Sequence, residues 1–290
     1  MTALGVVFRP QLPPERLRDV ARAADAAGLE ELWLWEDCFL ESGIAAMAAA
    51  LAWTERLRVG VGLLPVPFRN AALTSMETAT LHRLFPGRAK LAVGHGVQDW
   101  MAQVGARAES PMTLLTEHLS AMRALLRGER VTTQGRYVRL DGVALDWPPK
   151  EGAAVYVGAT GPRTLRLAGA AADGTILTAG RTPDEVRRAR ELIEEGRTEA
   201  GRTGPHEVVA YFNAATGPGA DARIEAELAA SGDAGKTEAG VAGDAGAVAE
   251  AVRRIADAGA DTVILQPTAD EPDVEGFVRF VAGEVRPLVA

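Results

Sequence analysis

A single cysteine, Cys38, among 290 residues leaves no partner for an intrachain disulfide and no second thiol for a metal site. The expected compartment is therefore a reducing one, the cytoplasm. No apolar run approaches the roughly 20 residues a membrane span requires, and the first residues lack the basic start and apolar stretch of a signal peptide. Only four histidines occur, at 82, 95, 118 and 206, and no two share a helix face at metal-ligand spacing. The net charge of −8, with no basic stripe interleaved with aromatics, argues against a nucleic-acid partner. GxSxG, P-loop, HExxH and Rossmann GxGxxG patterns are all missing, which removes the hydrolases, nucleotidases and dinucleotide enzymes built on them.

What is present is an ordinary globular balance, 47% hydrophobic and 24% charged, organised as short β-rich runs alternating with longer amphipathic stretches. Strands are expected at 4–8, 31–35, 57–63, 88–93, 154–157, 175–177, 207–212 and 262–265. Helices are expected between them, among them 13–27 ended by Gly28, 70–84 ended by Pro86, and 183–196 opened by Thr182 with Glu185 three residues on. Eight successive βα units can close on themselves and leave no sheet edge, so a single (β/α)8 TIM barrel over residues 1–290 is the economical topology. An open doubly wound sheet is its rival. Two places depart from the repeat. Residues 130–145 read as a small β insertion beside the barrel mouth, and 215–243, around a short helix at 222–230, has the most loop-like and mobile composition.

In a barrel, chemistry belongs to the residues just after each strand. The turn after the fifth strand, Gly158-Ala159-Thr160-Gly161-Pro162-Arg163-Thr164, leads into a helix and directs free N–H groups and the positive dipole end at one point, with Thr160, Thr164 and Arg163 adding donors. The same sequence also serves as a plain turn with Pro162 at the first helical position and Arg163 in solvent. Gly94-His95-Gly96 admits close approach of a flat ligand and would project His95 beside it, although a histidine between glycines is also a common turn residue. Asp37, after the apolar LWLW, forms with Glu36 an acidic pair at a strand end. It is suited to proton transfer or to a polar ring edge, and equally to capping a helix or pairing with an arginine.

The segments TERLRVGVGLLPVPFRNAAL, GRAKLAVGHG, VGATGPRTLRLAGAAADG and VAGDAGAVAEAVRRIADAGADTVILQP together resemble the bacterial luciferase-like superfamily, almost end to end. The GATGPRTL stretch is similar to the branch that uses the deazaflavin coenzyme F420, of which the methylenetetrahydromethanopterin reductases are typical. The resemblance implies an oxidoreductase acting on a small organic substrate with coenzyme F420. The alternatives are a monooxygenase using FMN and a cofactor-binding protein without catalysis. It further implies a bulge at Gly62-Leu63 with a non-proline cis peptide behind the ring, Asp37 beside the ring, and Gly94, His95 and Gly96 lining the cofactor. The phosphate would lie at Gly158 to Thr164 with Thr178 completing the site. Asp37 and His95 are the expected catalytic pair. Cys38 stands where the family often has histidine, and a homodimer is expected through the Ala-rich helix 44–53.

Overall fold

In the computed structural model, which describes residues 2–289, eight parallel strands close into a barrel. They are β1 (Ala3–Val7), β2 (Glu31–Leu34), β3 (Arg58–Pro65) and β4 (Ala89–Gly94), then, after a hairpin of β5 (Val131–Gln134) and β6 (Arg139–Val143), β7 (Val155–Gly158), β8 (Gly174–Leu177) and β9 (Glu207–Ala215). A short β10 (Gly240–Ala242) precedes β11 (Thr262–Pro267). The pairing of β8 with β9 closes the ring and rules out the open sheet. All eight strands fall where the hydrophobic pattern puts them. Each is followed by helix, and helix ends obey their punctuation: Gly28 caps Leu17–Ala27 in the left-handed region, and Thr182 and Glu185 form a reciprocal capping box on Pro183–Glu199.

Three details differ from the sequence pattern. The helix begun at Pro183 runs through Gly196 to Glu199, because Gly196 is a contact residue rather than a stop: a Cβ there would lie 2.1 Å from the Arg166 carbonyl oxygen of the neighbouring helix. The stretch 215–243 contributes β10, which pairs with the end of β9 beyond the point where β8 stops, and β9 is longer than expected as a result. The β5–β6 hairpin lies against the helix Pro111–Leu126, where Glu117 accepts N–H bonds from Arg136, Tyr137 and Val138, and no residue of it lines the barrel mouth.

The barrel interior is filled by Val7, Trp33, Ala92, Tyr156, Ile176, Val209, Tyr211 and Ile264, while a larger apolar layer separates strands from helices. Gly60 opposite Trp33 allows this filling, since a Cβ at 60 would stand 2.4 Å from the indole. The amino-terminal end is sealed by charge. Lys90 Nζ lies 2.7 Å from both Glu31 and Glu207, Arg58 joins Glu31 at 3.1 Å, and the hydroxyls of Tyr156 and Thr262 donate to Glu207. With that end plugged by paired ions, access to the core is left to the carboxyl end. Among the described residues no helix is long and apolar enough to cross a membrane.

Candidate active site at the carboxyl end of the barrel

The carboxyl ends of the strands surround a cavity of about 540 Å³, within the range that buries a drug-sized ligand or cofactor. Its wall includes Asp37, Gly62, Leu63, His95, Gly96, Gly158, Ala159, Thr160 and Thr178 of the residues marked by sequence. Gly94, Gly161, Pro162, Arg163 and Thr164 lie outside the wall, behind or beside it.

One side is built by β3. Val61 pairs with Leu91 and Leu64 with Val93, so three steps of β3 answer two of β4, and the extra residue forms a bulge at Gly62-Leu63. The bulge turns Leu63 over the tops of β4 and β7. Its Cδ1 would lie 2.4 Å from a Cβ on Gly94 and 2.6 Å from one on Gly158, so two glycines make the niche that holds it. The expected cis peptide is not here. The one non-proline cis bond among the described residues joins Cys38 and Phe39. At Gly62-Leu63 the extra residue itself accommodates the change of register, and the peptide is trans.

The acidic pair at the end of β2 divides its work. Glu36 is buried, accepts from Gly43 N at 2.9 Å and pairs with Arg69 at 2.8 Å, which in turn pairs with Glu77. It is a structural anchor that also borders the cavity. Asp37 faces the cavity, where Trp35 Nε1 donates to its Oδ2 at 3.0 Å, and burial raises its carboxyl above the ordinary range against the opposing influence of Trp35 and Arg9. Burial and the neighbouring Glu36 and Asp37 push the Cys38 thiol up, so it remains a thiol and lines a smaller, adjoining pocket of about 300 Å³.

His95 projects from the Gly94-His95-Gly96 turn, its Nε2 3.1 Å from Thr164 Oγ1 and its ring beside the Pro111 backbone. Burial lowers its pKa, which favours the neutral ring, against the opposing influence of the Pro111 backbone. Gly161 caps the helix Pro162–Ala171 without a side-chain bond, which leaves the first N–H groups of that helix available. Arg163 is exposed.

Several wall residues escaped the sequence reading. Arg9 and Gln11 follow β1 and Gln266 is the last residue but one of β11, so the strand-end rule could have found them. Tyr211 lies inside β9 with its hydroxyl buried and unpartnered beside Gly62. Glu227 and Ser231 come from the helix Ala220–Ala230 and just beyond it, in the stretch whose composition looked most loop-like. That helix is tied to the mouth by Arg9, whose Nη1 donates to Glu227 at 2.7 Å, and by an Arg223–Glu271 pair at 2.7 Å. No local pattern announces these contacts.

The sequence profile described as luciferase-like monooxygenase matches residues 4–262. The chain belongs to this family. Among curated proteins, this luciferase-like chain is 31% identical over 205 residues to a 5,10-methylenetetrahydromethanopterin reductase of Methanolobus tindarius, covering 70% of this chain and 62% of that protein. It is 33% identical over 208 residues to an F420-dependent glucose-6-phosphate dehydrogenase of Nocardia farcinica, covering 67% and 62% respectively. The match thus spans less than two thirds of these relatives. Among solved structures, the coenzyme F420 dependent tetrahydromethanopterin reductase of Methanopyrus kandleri superposes with a TM-score of 0.84 at 23% identity, covering 100% of this chain and 99% of that one. An F420-dependent secondary alcohol dehydrogenase in complex with an F420-acetone adduct superposes with a TM-score of 0.88 at 22% identity and the same coverage. At those identities the likeness is one of luciferase-like fold.

Proposed function

We propose that this protein is a coenzyme F420-dependent oxidoreductase that transfers a hydride to or from a small organic substrate. The observation that carries this reading is the Leu63 platform, seated in the Gly94–Gly158 niche at the wall of a cavity large enough for a tricyclic ring. When bound, the deazaflavin supplies a ring carbon that gives or takes a hydride. The chain's own contribution is alignment and proton handling. Leu63 backs one face of the ring and leaves the other to the substrate. The turn from Gly158 to Thr164, with Thr178 beside it, receives the phosphate through the free N–H groups and dipole of the helix Pro162–Ala171. Asp37, its carboxyl raised by burial and held by Trp35, gives or accepts a proton, and the His95 ring serves the same end. The relatives named F420-dependent glucose-6-phosphate dehydrogenases support the choice of cofactor.

Titration with coenzyme F420 and with FMN, followed by fluorescence and absorbance, tests the assignment: tight F420 binding is expected, and a preference for FMN would overturn it. The second reading, an FMN monooxygenase, draws on solved monooxygenases of the same fold, and oxygen consumption separates the two because a 5-deazaflavin reacts poorly with oxygen. Bound coenzyme without turnover across a broad panel of small substrates would favour a non-catalytic binder.

We also place the chain in the cytoplasm, as a single barrel domain that pairs as a homodimer. The outer face of the helix Ala71–Leu84 leaves Leu73, Met76 and Leu84 exposed, close in sequence to exposed Phe68, while Phe39 and Leu40 of the β2 loop are exposed too. An apolar set of this size favours association. A monomer by light scattering would remove the dimer.

A further inference from the structure

Arg181 lies four residues beyond the end of β8, just after the lining residues Thr178 and Ala179 and outside the cavity wall itself. Its Nη2 donates to the Thr160 carbonyl oxygen at 3.2 Å, which holds the guanidinium against the turn from Gly158 to Thr164, and its Nε is buried with no partner. Among the described residues it forms no salt bridge. The two carboxylates whose charges act on it, Glu185 and Asp233, are both taken by another cation: Lys236 Nζ lies 2.9 Å from Glu185 Oε1 and 2.9 Å from Asp233 Oδ1. The second oxygen of Glu185 is spent on the Thr182 N–H in the capping box. Gly180 lets this arrangement form. It has φ of +83°, and a Cβ there would lie 2.1 Å from Asp233 Oδ2. A partly desolvated guanidinium with both neighbouring carboxylates occupied is costly unless an anion completes it. Arg163, the arginine that the sequence singles out, stands in solvent instead.

We infer that Arg181 is the side chain that grips the cofactor phosphate at this turn, and that Lys236 keeps it free to do so by holding Glu185 and Asp233 away. The inference rests on the proposed binding of a phosphorylated deazaflavin, and deepens it. Arg181 contacts the ligand; Lys236 is a positioning residue, acting through the two carboxylates. The planar fork of an arginine suits phosphate oxygens beside the backbone N–H groups of the helix start.

The test is a fluorescence titration of four proteins, wild type, Arg181→Gln, Arg181→Lys and Lys236→Met, with a ribityl deazaflavin and with its 5′-phosphate. Wild type should bind the phosphate form more tightly. Arg181→Gln should weaken the phosphate form about 10- to 100-fold, as loss of a charge-assisted contact does, and leave the phosphate-free form unchanged. Lys236→Met releases two carboxylates onto Arg181 and should also weaken the phosphate form alone. Arg181→Lys, which keeps the charge, should recover part of the loss. Retention of wild-type discrimination by Arg181→Gln overturns the role of Arg181, and so does equal weakening of both ligands, which would mark a structural effect. If wild type itself does not discriminate, the phosphate placement falls and the inference with it. If wild type binds neither deazaflavin, the proposed function fails first.

Discussion

Replacing Gly94 by alanine tests the platform directly. The new Cβ would sit 2.4 Å from Leu63 Cδ1, 3.0 Å from its Cγ and 3.3 Å from the Gly158 carbonyl oxygen, against the roughly 3.5–4.0 Å at which carbons pack. Leu63 already fills the space beside Gly158, its Cδ1 2.6 Å from where a Cβ on that glycine would stand, so the Gly158 backbone leaves it little room to slide that way. The side chain must therefore leave the niche for the cavity, where the ring is proposed to lie. Overpacking of this kind costs about 1–3 kcal/mol, which as a loss of binding is about 5- to 150-fold in the dissociation constant. Leu63→Ala alone removes a half-buried platform and should cost about 1–2 kcal/mol in binding. In the double variant the alanine at 94 meets no leucine, so most of the Gly94→Ala cost should vanish, with a coupling energy of about 1–2 kcal/mol. The cycle is read by deazaflavin fluorescence, with thermal unfolding of each protein alongside. Additivity of the two single costs within about 0.5 kcal/mol would refute the niche.

Three further outcomes are expected. Asp37→Asn should lower kcat about 10²- to 10⁴-fold with little change in cofactor affinity, and should abolish the limb of the pH–rate profile that in wild type lies above the ordinary aspartate range; an unchanged profile would remove Asp37 from proton transfer. Glu41, whose carboxylate oxygens are buried without partners, has its pKa raised by burial from 4.5 to about 7, so the folded state holds a proton that the unfolded chain releases. Stability at this site therefore falls as pH rises from 4.5 to 7, and Glu41→Gln should stabilise by about 1–2 kcal/mol at pH 8, after allowance for solvent screening, and by nothing at pH 4.5. Burial holds His118 and His206 down to about 4, so the unfolded chain takes up protons first as pH falls from 6.5. Each should withdraw up to about 3 kcal/mol of stability between pH 6.5 and 4, and urea unfolding of His118→Gln should show a shallower loss across that window.

The barrel was legible because every strand carries its own evidence. A run such as LWLW is apolar on both faces, as a strand packed inside and outside must be, and Gly28, Pro86 and Thr182 punctuate the helices by local backbone chemistry. Site residues just after strands were legible for the same reason. What escaped depends on pairs distant along the chain. Glu36 and Asp37 are adjacent and alike in sequence, and only Arg69 decides which of them is neutralised. Gly196 reads as a helix stop until the carbonyl of Arg166 is seen against it. Arg163 stood out because it lies within the turn, whereas Arg181 depends on Lys236, which is brought up by a different unit of the barrel.

The bulge of β3 shows how one extra residue converts a structural strand into a cofactor wall. Strand alternation sends Val59 and Val61 outward into the layer beneath the helices, and Gly60 and Gly62 inward, where they yield space to the Trp33 indole and the Tyr211 hydroxyl. Continued without interruption, the same period would send residue 63 outward and residue 64 inward. The structure has the reverse: Leu64 is fully buried in the outer layer and Leu63 lines the cavity. A slip of one residue exchanges the faces, and the bulge confines that slip to the last turn of the strand, above the packed interior. The core keeps its alternation while the mouth gains a leucine where alternation would not put one. The glycines of β4 and β7 complete the device, since neither strand alone could accept the side chain. That three strands supply its parts explains why the bulge follows from resemblance in the sequence and from physics only once the strands are side by side.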